Sequence, residues 1–290
     1  MLTGSIPALA TPFNKSGKPC RRTYKKLIKW HIQQGSNGIL VAGCTGESFT
    51  LTEDERIKLS EVAIDTAGGK IPVIIGTGAS STKIAVERTK IAKKLGADAV
   101  LVITPFGNKP SQEALFRYYS EIADVGVPVI LYTVPSRTGT DISAETVVKL
   151  AEHPNIVAIK EASGKLDKIN EIIRTAPENF TVLSGDDALT LPMLALGAKG
   201  VISTVANIAP KEFSQMVSSF FDGDIHTARE IHFRLLPVIR ALFVEGNPVP
   251  LKFAMSQMKL CENRLRPPLM AASKTTQEIV RMALKSAKLI

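Results

Sequence analysis

The chain has 290 residues, 44% of them hydrophobic, and its 36 Lys and Arg outnumber its 27 Asp and Glu to give a net charge of +9. That apolar share supports a large buried core, while no apolar run approaches the ~20 residues needed to cross a bilayer, which excludes a membrane-spanning helix. The N-terminus shows no basic region, apolar stretch and small-residue cleavage site in succession, and Cys20, Cys44 and Cys261 form no CxxC pair, so a cytoplasmic protein with reduced thiols and neither a disulfide framework nor a zinc site is expected.

Eight short β-branched runs follow one another along the chain: Ile6 to Ala10, Gly38 to Ala42, Pro72 to Gly76, Ala99 to Ile103, Pro128 to Tyr132, Val157 to Glu161, Thr181 to Ser184 and Gly200 to Thr204. Runs of this kind are buried on both faces, as parallel strands are. The segments between them carry helix-start signals, such as Thr52 before Glu53 and Glu55, or Ser111 before Glu113. Strand and helix alternating eight times predict a (β/α)8 TIM barrel. An open doubly wound sheet is the alternative, but no GxGxxG follows the first run. Beyond the eighth run, Lys211 to Phe221, Asp224 to Phe243, Val249 to Cys261 and Thr275 to Ile290 read as helices with no strand between them. We expect one domain over 1–290: a barrel to about residue 223 and a C-terminal helical extension over about 224–290, covering the barrel's side or supporting an oligomer. Lys25, Lys26 and Lys29, Lys90, Lys93 and Lys94, and Lys285 and Lys288 fall at helical spacings that suit solvated outer faces, so no nucleic-acid partner is expected.

In such a barrel the chemistry lies at the C-terminal ends of the strands. Lys160 closes the apolar run Val157-Ala158-Ile159, where desolvation would lower its pKa and free the amine to attack a carbonyl. A structural ion pair with Glu161 or another acid is the plainer alternative, although adjacent strand residues point to opposite sides. Tyr132 ends the neighbouring run, either as a proton relay or as a core aromatic. Arg137 lies on the loop above it, where a guanidinium suits bidentate capture of a carboxylate, or is simply a surface arginine. The turn Gly43-Cys44-Thr45-Gly46 presents backbone N–H groups and the Thr45 hydroxyl before a helix; it either binds an anion or merely joins strand to helix. Asp186 and Asp187 would need histidines beside them to make an aldolase metal site, and His31, His153, His226 and His232 all fall away from strand ends, so covalent lysine chemistry without metal or cofactor is preferred.

Taken together, Gly43-Cys44-Thr45-Gly46-Glu47-Ser48, Tyr132 to Gly139 and Ile159-Lys160-Glu161-Ala162 resemble the dihydrodipicolinate synthase family of pyruvate-dependent class I aldolases, in family order and spacing over essentially the whole chain. The resemblance implies that Lys160 forms a Schiff base with pyruvate, Tyr132 relays protons, and Thr45 and Arg137 take the carboxylates of pyruvate and of L-aspartate 4-semialdehyde. It also implies that Gly185 and Ile202 line the pyruvate pocket, that no cofactor is needed, and that the protein is a homotetramer. The chain departs from the family at Cys44, which replaces a relay threonine and remains a catalytic candidate with a poorer donor, and at Gly107, which replaces a relay tyrosine. The implied enzyme is therefore a slow synthase. Phe49, Ser80, Ile84 and Phe106 replace the lysine-binding residues of regulated relatives, which implies insensitivity to lysine. Two alternatives are another pyruvate-dependent aldolase, such as an N-acetylneuraminate lyase or a sugar-acid aldolase, and an inactive basic barrel serving as a scaffold.

Overall fold

The computed structural model describes residues 2–290. Strands and helices alternate as β1 (Gly4–Pro7), α1 (Arg21–Gln33), β2 (Ile39–Val41), α2 (Glu53–Ala67), β3 (Val73–Gly76), α3 (Thr82–Leu95), β4 (Ala99–Ile103), α4 (Gln112–Ala123) and β5 (Val129–Thr133). They continue as the short helix α5 (Pro135–Thr138), α6 (Ala144–Ala151), β6 (Ile156–Glu161), α7 (Leu166–Thr175), β7 (Thr181–Ser184), α8 (Thr190–Leu196), β8 (Gly200–Ser203) and α9 (Pro210–Phe221). The chain ends with α10 (Ile225–Ala241), α11 (Val249–Gln257) and α12 (Lys274–Ser286).

The eight strands run parallel in the order β1-β8-β7-β6-β5-β4-β3-β2. A parallel bridge between Ala8 and Leu40, with the Leu9 N–H donating to the Leu40 carbonyl at 2.9 Å, joins the two ends of the sheet and closes the TIM barrel. Alternation along each strand sorts the side chains. Ile6, Leu40, Ile74, Leu101, Ile130, Ala158, Leu183 and Ile202 fill the interior, whereas Val41, Val100, Val102, Leu131 and Ile159 face the helices. The interior is thus a packed core, with a cavity above the C-terminal ends of the strands.

Local signals set the helix boundaries. Thr52, expected as a helix start, forms a capping box with Glu55 on α2, which ends at Gly68 in the left-handed conformation, and the Ser111 side chain accepts from Ala114 N–H at the start of α4. The helix expected over Val249 to Cys261 stops at Gln257, because the chain turns through Lys259 at φ +58. Helix α10 packs on α9 and α12, α11 packs on α12, and α11 touches the turn Val205–Asn207 that follows β8. The eight lysines assigned to solvated faces are all exposed. Among the described residues, no helix is long and apolar enough to cross a membrane.

Candidate active site

Strand β6 carries the decisive alternation. Ala158 and Lys160 point into the barrel; Glu161 points outward, its Oε2 3.0 Å from Nζ of Lys168 on α7 and its Oε1 accepting from Ser163 N–H. The acid beside Lys160 in sequence therefore pairs elsewhere, and among the described residues no carboxylate forms an ion pair with Lys160. Lys160 is 5% exposed, and burial lowers its pKa to about 8, with the Arg137 charge acting in the same direction and the buried Asp187 opposing.

Tyr132 is the direct cross-strand partner of Lys160, whose Nζ lies 4.5 Å from the centre of the phenol ring. Burial holds the Tyr132 hydroxyl well above its ordinary pKa, so it remains protonated and able to donate. Cys44 approaches from the turn after β2. Burial raises its thiol pKa, opposed by the charges of Arg137 and Lys160 and by the nearby Tyr132 hydroxyl.

The Gly43-to-Glu47 turn leads into a single 3-10 turn at Ser48–Thr50 rather than directly into a helix. Its Gly46 and Glu47 N–H groups are used inside the turn, on the carbonyls of Gly43 and Cys44, whereas the Thr45 N–H has no acceptor among the described residues. The Thr45 hydroxyl is 2.9 Å from Nδ2 of Asn247, which donates to it, and 3.4 Å from the Thr204 hydroxyl. Thr204 is held in turn by Asp187, whose Oδ2 accepts the N–H groups of Thr204 and Val205. Asp187 thus serves as a cap, and burial raises its pKa to about 6.

Arg137 sits on α5, and its Nη2 donates to the Asn247 carbonyl at 2.9 Å. Gly185 packs so closely that a Cβ there would lie 3.0 Å from Cγ of Lys160 and 2.7 Å from Cβ of Ala162, so any side chain would force these neighbours to shift. Lys160, Tyr132, Cys44, Thr45, Arg137 and Gly185 all line one cavity of about 710 Å³ above the strand ends. Ile202 does not. Its side chain is fully buried in the hydrophobic layer of the barrel interior, and Thr204, two residues further on, takes the lining position.

The extension does more than cover the barrel's side. The last turn of α10 and the segment to Asn247 form one wall of the cavity, through Arg240, Phe243, Glu245 and Asn247. Neither Asn247 nor this wall stood out in the sequence, because no local pattern marks a polar residue that meets Thr45 across 202 positions. Gly107 lies outside the lining, at φ +88 with open space where a side chain would begin. Beside it, Phe106 stacks edge-on against Phe49, with ring centres 5.0 Å apart.

Residues 1–287 match the sequence profile of the Dihydrodipicolinate synthetase family. The chain belongs to that family. A 4-hydroxy-tetrahydrodipicolinate synthase of Thermodesulfovibrio yellowstonii is 47% identical over 291 aligned positions, covering 100% of both chains. The crystal structure of dihydrodipicolinate synthase from Aquifex aeolicus superposes with a TM-score of 0.97 at 44% identity, covering 99% of this chain and 98% of that one. The chloride-inhibited dihydrodipicolinate synthase of Acinetobacter baumannii, solved as a complex with pyruvate, gives 0.98 at 42% identity with 100% of each chain covered. Likeness over the whole length means that this member of the dihydrodipicolinate synthetase family shares both the barrel and the extension with those relatives.

Proposed function

We propose that the chain is a 4-hydroxy-tetrahydrodipicolinate synthase that condenses pyruvate with L-aspartate 4-semialdehyde, working in the cytoplasm in diaminopimelate and lysine biosynthesis. The observation that carries this reading is a buried amine, free of any carboxylate partner, beside a protonated phenol in a cavity whose mouth holds a guanidinium. A lysine of pKa about 8 is about one-tenth unprotonated at pH 7, enough to attack the pyruvate carbonyl without a separate base. Water then leaves as the imine forms, and Tyr132 stands where it can give and take the protons this requires.

The free N–H and the hydroxyl of Thr45 receive the pyruvate carboxylate. The imine withdraws electrons, so the former methyl carbon loses a proton and attacks the aldehyde as an enamine. Arg137 pairs with the carboxylate of that aldehyde, and cyclisation by its amine releases Lys160. The imine supplies the electron sink, so the proposed chemistry calls on no metal and no organic cofactor.

Cys44 and Gly107 leave Tyr132 as the one phenol of the relay, and removal of a positioned acid–base group costs on the order of a hundredfold. The rate is accordingly low. We assign a homotetramer, with exposed Phe49 (55%) and Ile84 (44%) on one subunit contact; light scattering reads its mass. The deciding experiment is turnover of pyruvate and aspartate semialdehyde, coupled to the reductase that consumes the product. Turnover abolished by Lys160→Ala and strongly reduced by Arg137→Ala supports the proposal; no turnover by the parent protein overturns it.

A further inference from the structure

Glu47 occupies the left-handed region at φ +54, a conformation that is strained for any residue with a side chain. Its carboxylate lies outside the cavity lining, with Oε1 3.0 Å from Nζ of Lys252 on α11; neither side chain has any exposed surface. Glu47 Oε2 accepts the N–H of Arg266 at 2.9 Å. Lys252 also donates to the carbonyls of Thr11 and Arg264, and the Thr11 hydroxyl donates to the Gly46 carbonyl at 2.8 Å. The guanidinium of Arg266 extends the grip to Glu55 and to the carbonyls of Gly17 and Thr50.

The turn bearing Cys44 and Thr45 is therefore held through Gly46, through Glu47, and through the bond from Asn247 to Thr45, with two of the three holds supplied by the extension. A buried ion pair is weak support for stability, because desolvating two charges offsets most of their attraction. Fixing a strained turn in one position is a different task, and the ion pair on Oε1 together with the Arg266 N–H bond to Oε2 ties the Glu47 side chain to the extension at two points.

We infer that the Glu47–Lys252 pair is a positioning device that holds the Thr45 turn in its carboxylate-binding geometry, so that affinity for pyruvate depends on a contact outside the cavity. This rests on the reading of Thr45 as the pyruvate-carboxylate ligand and of Lys160 as the imine-forming residue. The test is borohydride trapping of the pyruvate imine across a range of pyruvate concentrations, followed by intact-protein mass, in the full-length parent and in Glu47→Gln combined with Lys252→Met. The double replacement leaves no orphaned buried charge, so it folds where either single change is at risk.

The expected result is an adduct in both proteins, with half-saturating pyruvate raised roughly tenfold or more in the double variant and its melting temperature close to the parent's. An unchanged half-saturation overturns the inference while leaving the proposed function intact. Absence of any adduct in the parent overturns the proposed function, and this inference with it.

Discussion

The molecule buries two lysines on opposite sides of the same turn, and they are treated in opposite ways. Lys160, at the end of β6, faces the cavity with a phenol beside it and no carboxylate in contact, so burial lowers its pKa to about 8. Lys252, on α11, is more completely enclosed, yet it forms an ion pair with Glu47 and donates hydrogen bonds to two carbonyls. Burial lowers its pKa as well, but the Glu47 charge opposes that shift and keeps the ammonium as part of the scaffold. Burial alone thus does not make a lysine reactive. Withholding its counter-charge as well is what leaves its pKa near neutrality, and the outward turn of Glu161 onto Lys168 accomplishes this in a strand where the acid is the very next residue.

The sharpest break in the comparison is Lys160→Ala, which should take turnover to the background rate and abolish the borohydride-trapped adduct without lowering the melting temperature. Lys252→Met should do the reverse. It strands Glu47, and about 3–5 kcal/mol of unfolding free energy should be lost in a urea titration, while residual folded protein still forms the adduct. Tyr132→Phe removes the proton donor next to the reactive amine only, and kcat should drop by about a hundredfold.

The pH profile separates the two lysines without mutation. In the proposed mechanism the unprotonated form of Lys160 is the nucleophile, so kcat/KM for pyruvate should climb about tenfold per unit as pH rises toward about 8 and level off above it, and an acid limb centred near 10 would contradict the depressed pKa. A smaller gain is expected from Cys44→Ser, which places a better donor beside Tyr132; kcat should increase by a few-fold, whereas a decrease would show that the thiol itself is needed. The smallest effect concerns L-lysine. With Phe49 and Phe106 stacked on each other and Ile84 in place of an acid, millimolar lysine should leave the initial rate unchanged.

What could be read along the chain was whatever repeats locally. Two-residue alternation and β-branched runs located β2 to β8 to within one residue at either end, with β4 and β7 matching end to end, whereas β1 starts two and stops three residues before the expected Ile6 to Ala10, and Thr52 and Ser111 marked the starts of their helices. The same parity placed Lys160 inside and Glu161 outside. Contacts across the chain carried no such signal. Asn247 has no periodic neighbours to mark it, and Lys252 sits in a helix where an isolated lysine normally reads as surface. Ile202 shows the limit from the other side, since its parity is inward and its side chain lies in the hydrophobic layer below the cavity. Depth depends on the stagger of β8 against β1 and β7, a property of the closed barrel rather than of one strand.

The bonds from Asn247 to Thr45 and from Lys252 to Thr11 tie the beginning of the chain to segments 202 and 241 residues later. A ribosome adds about 5–20 residues per second, so the turn that holds Thr45 waits on the order of ten seconds or more for its partners to be made. Lys160 is made a little over halfway through that interval, before the segment that completes the cavity wall. A product truncated before residue 247 lacks both ties, so in the proposed mechanism its Thr45 turn is left without the holds that the extension supplies.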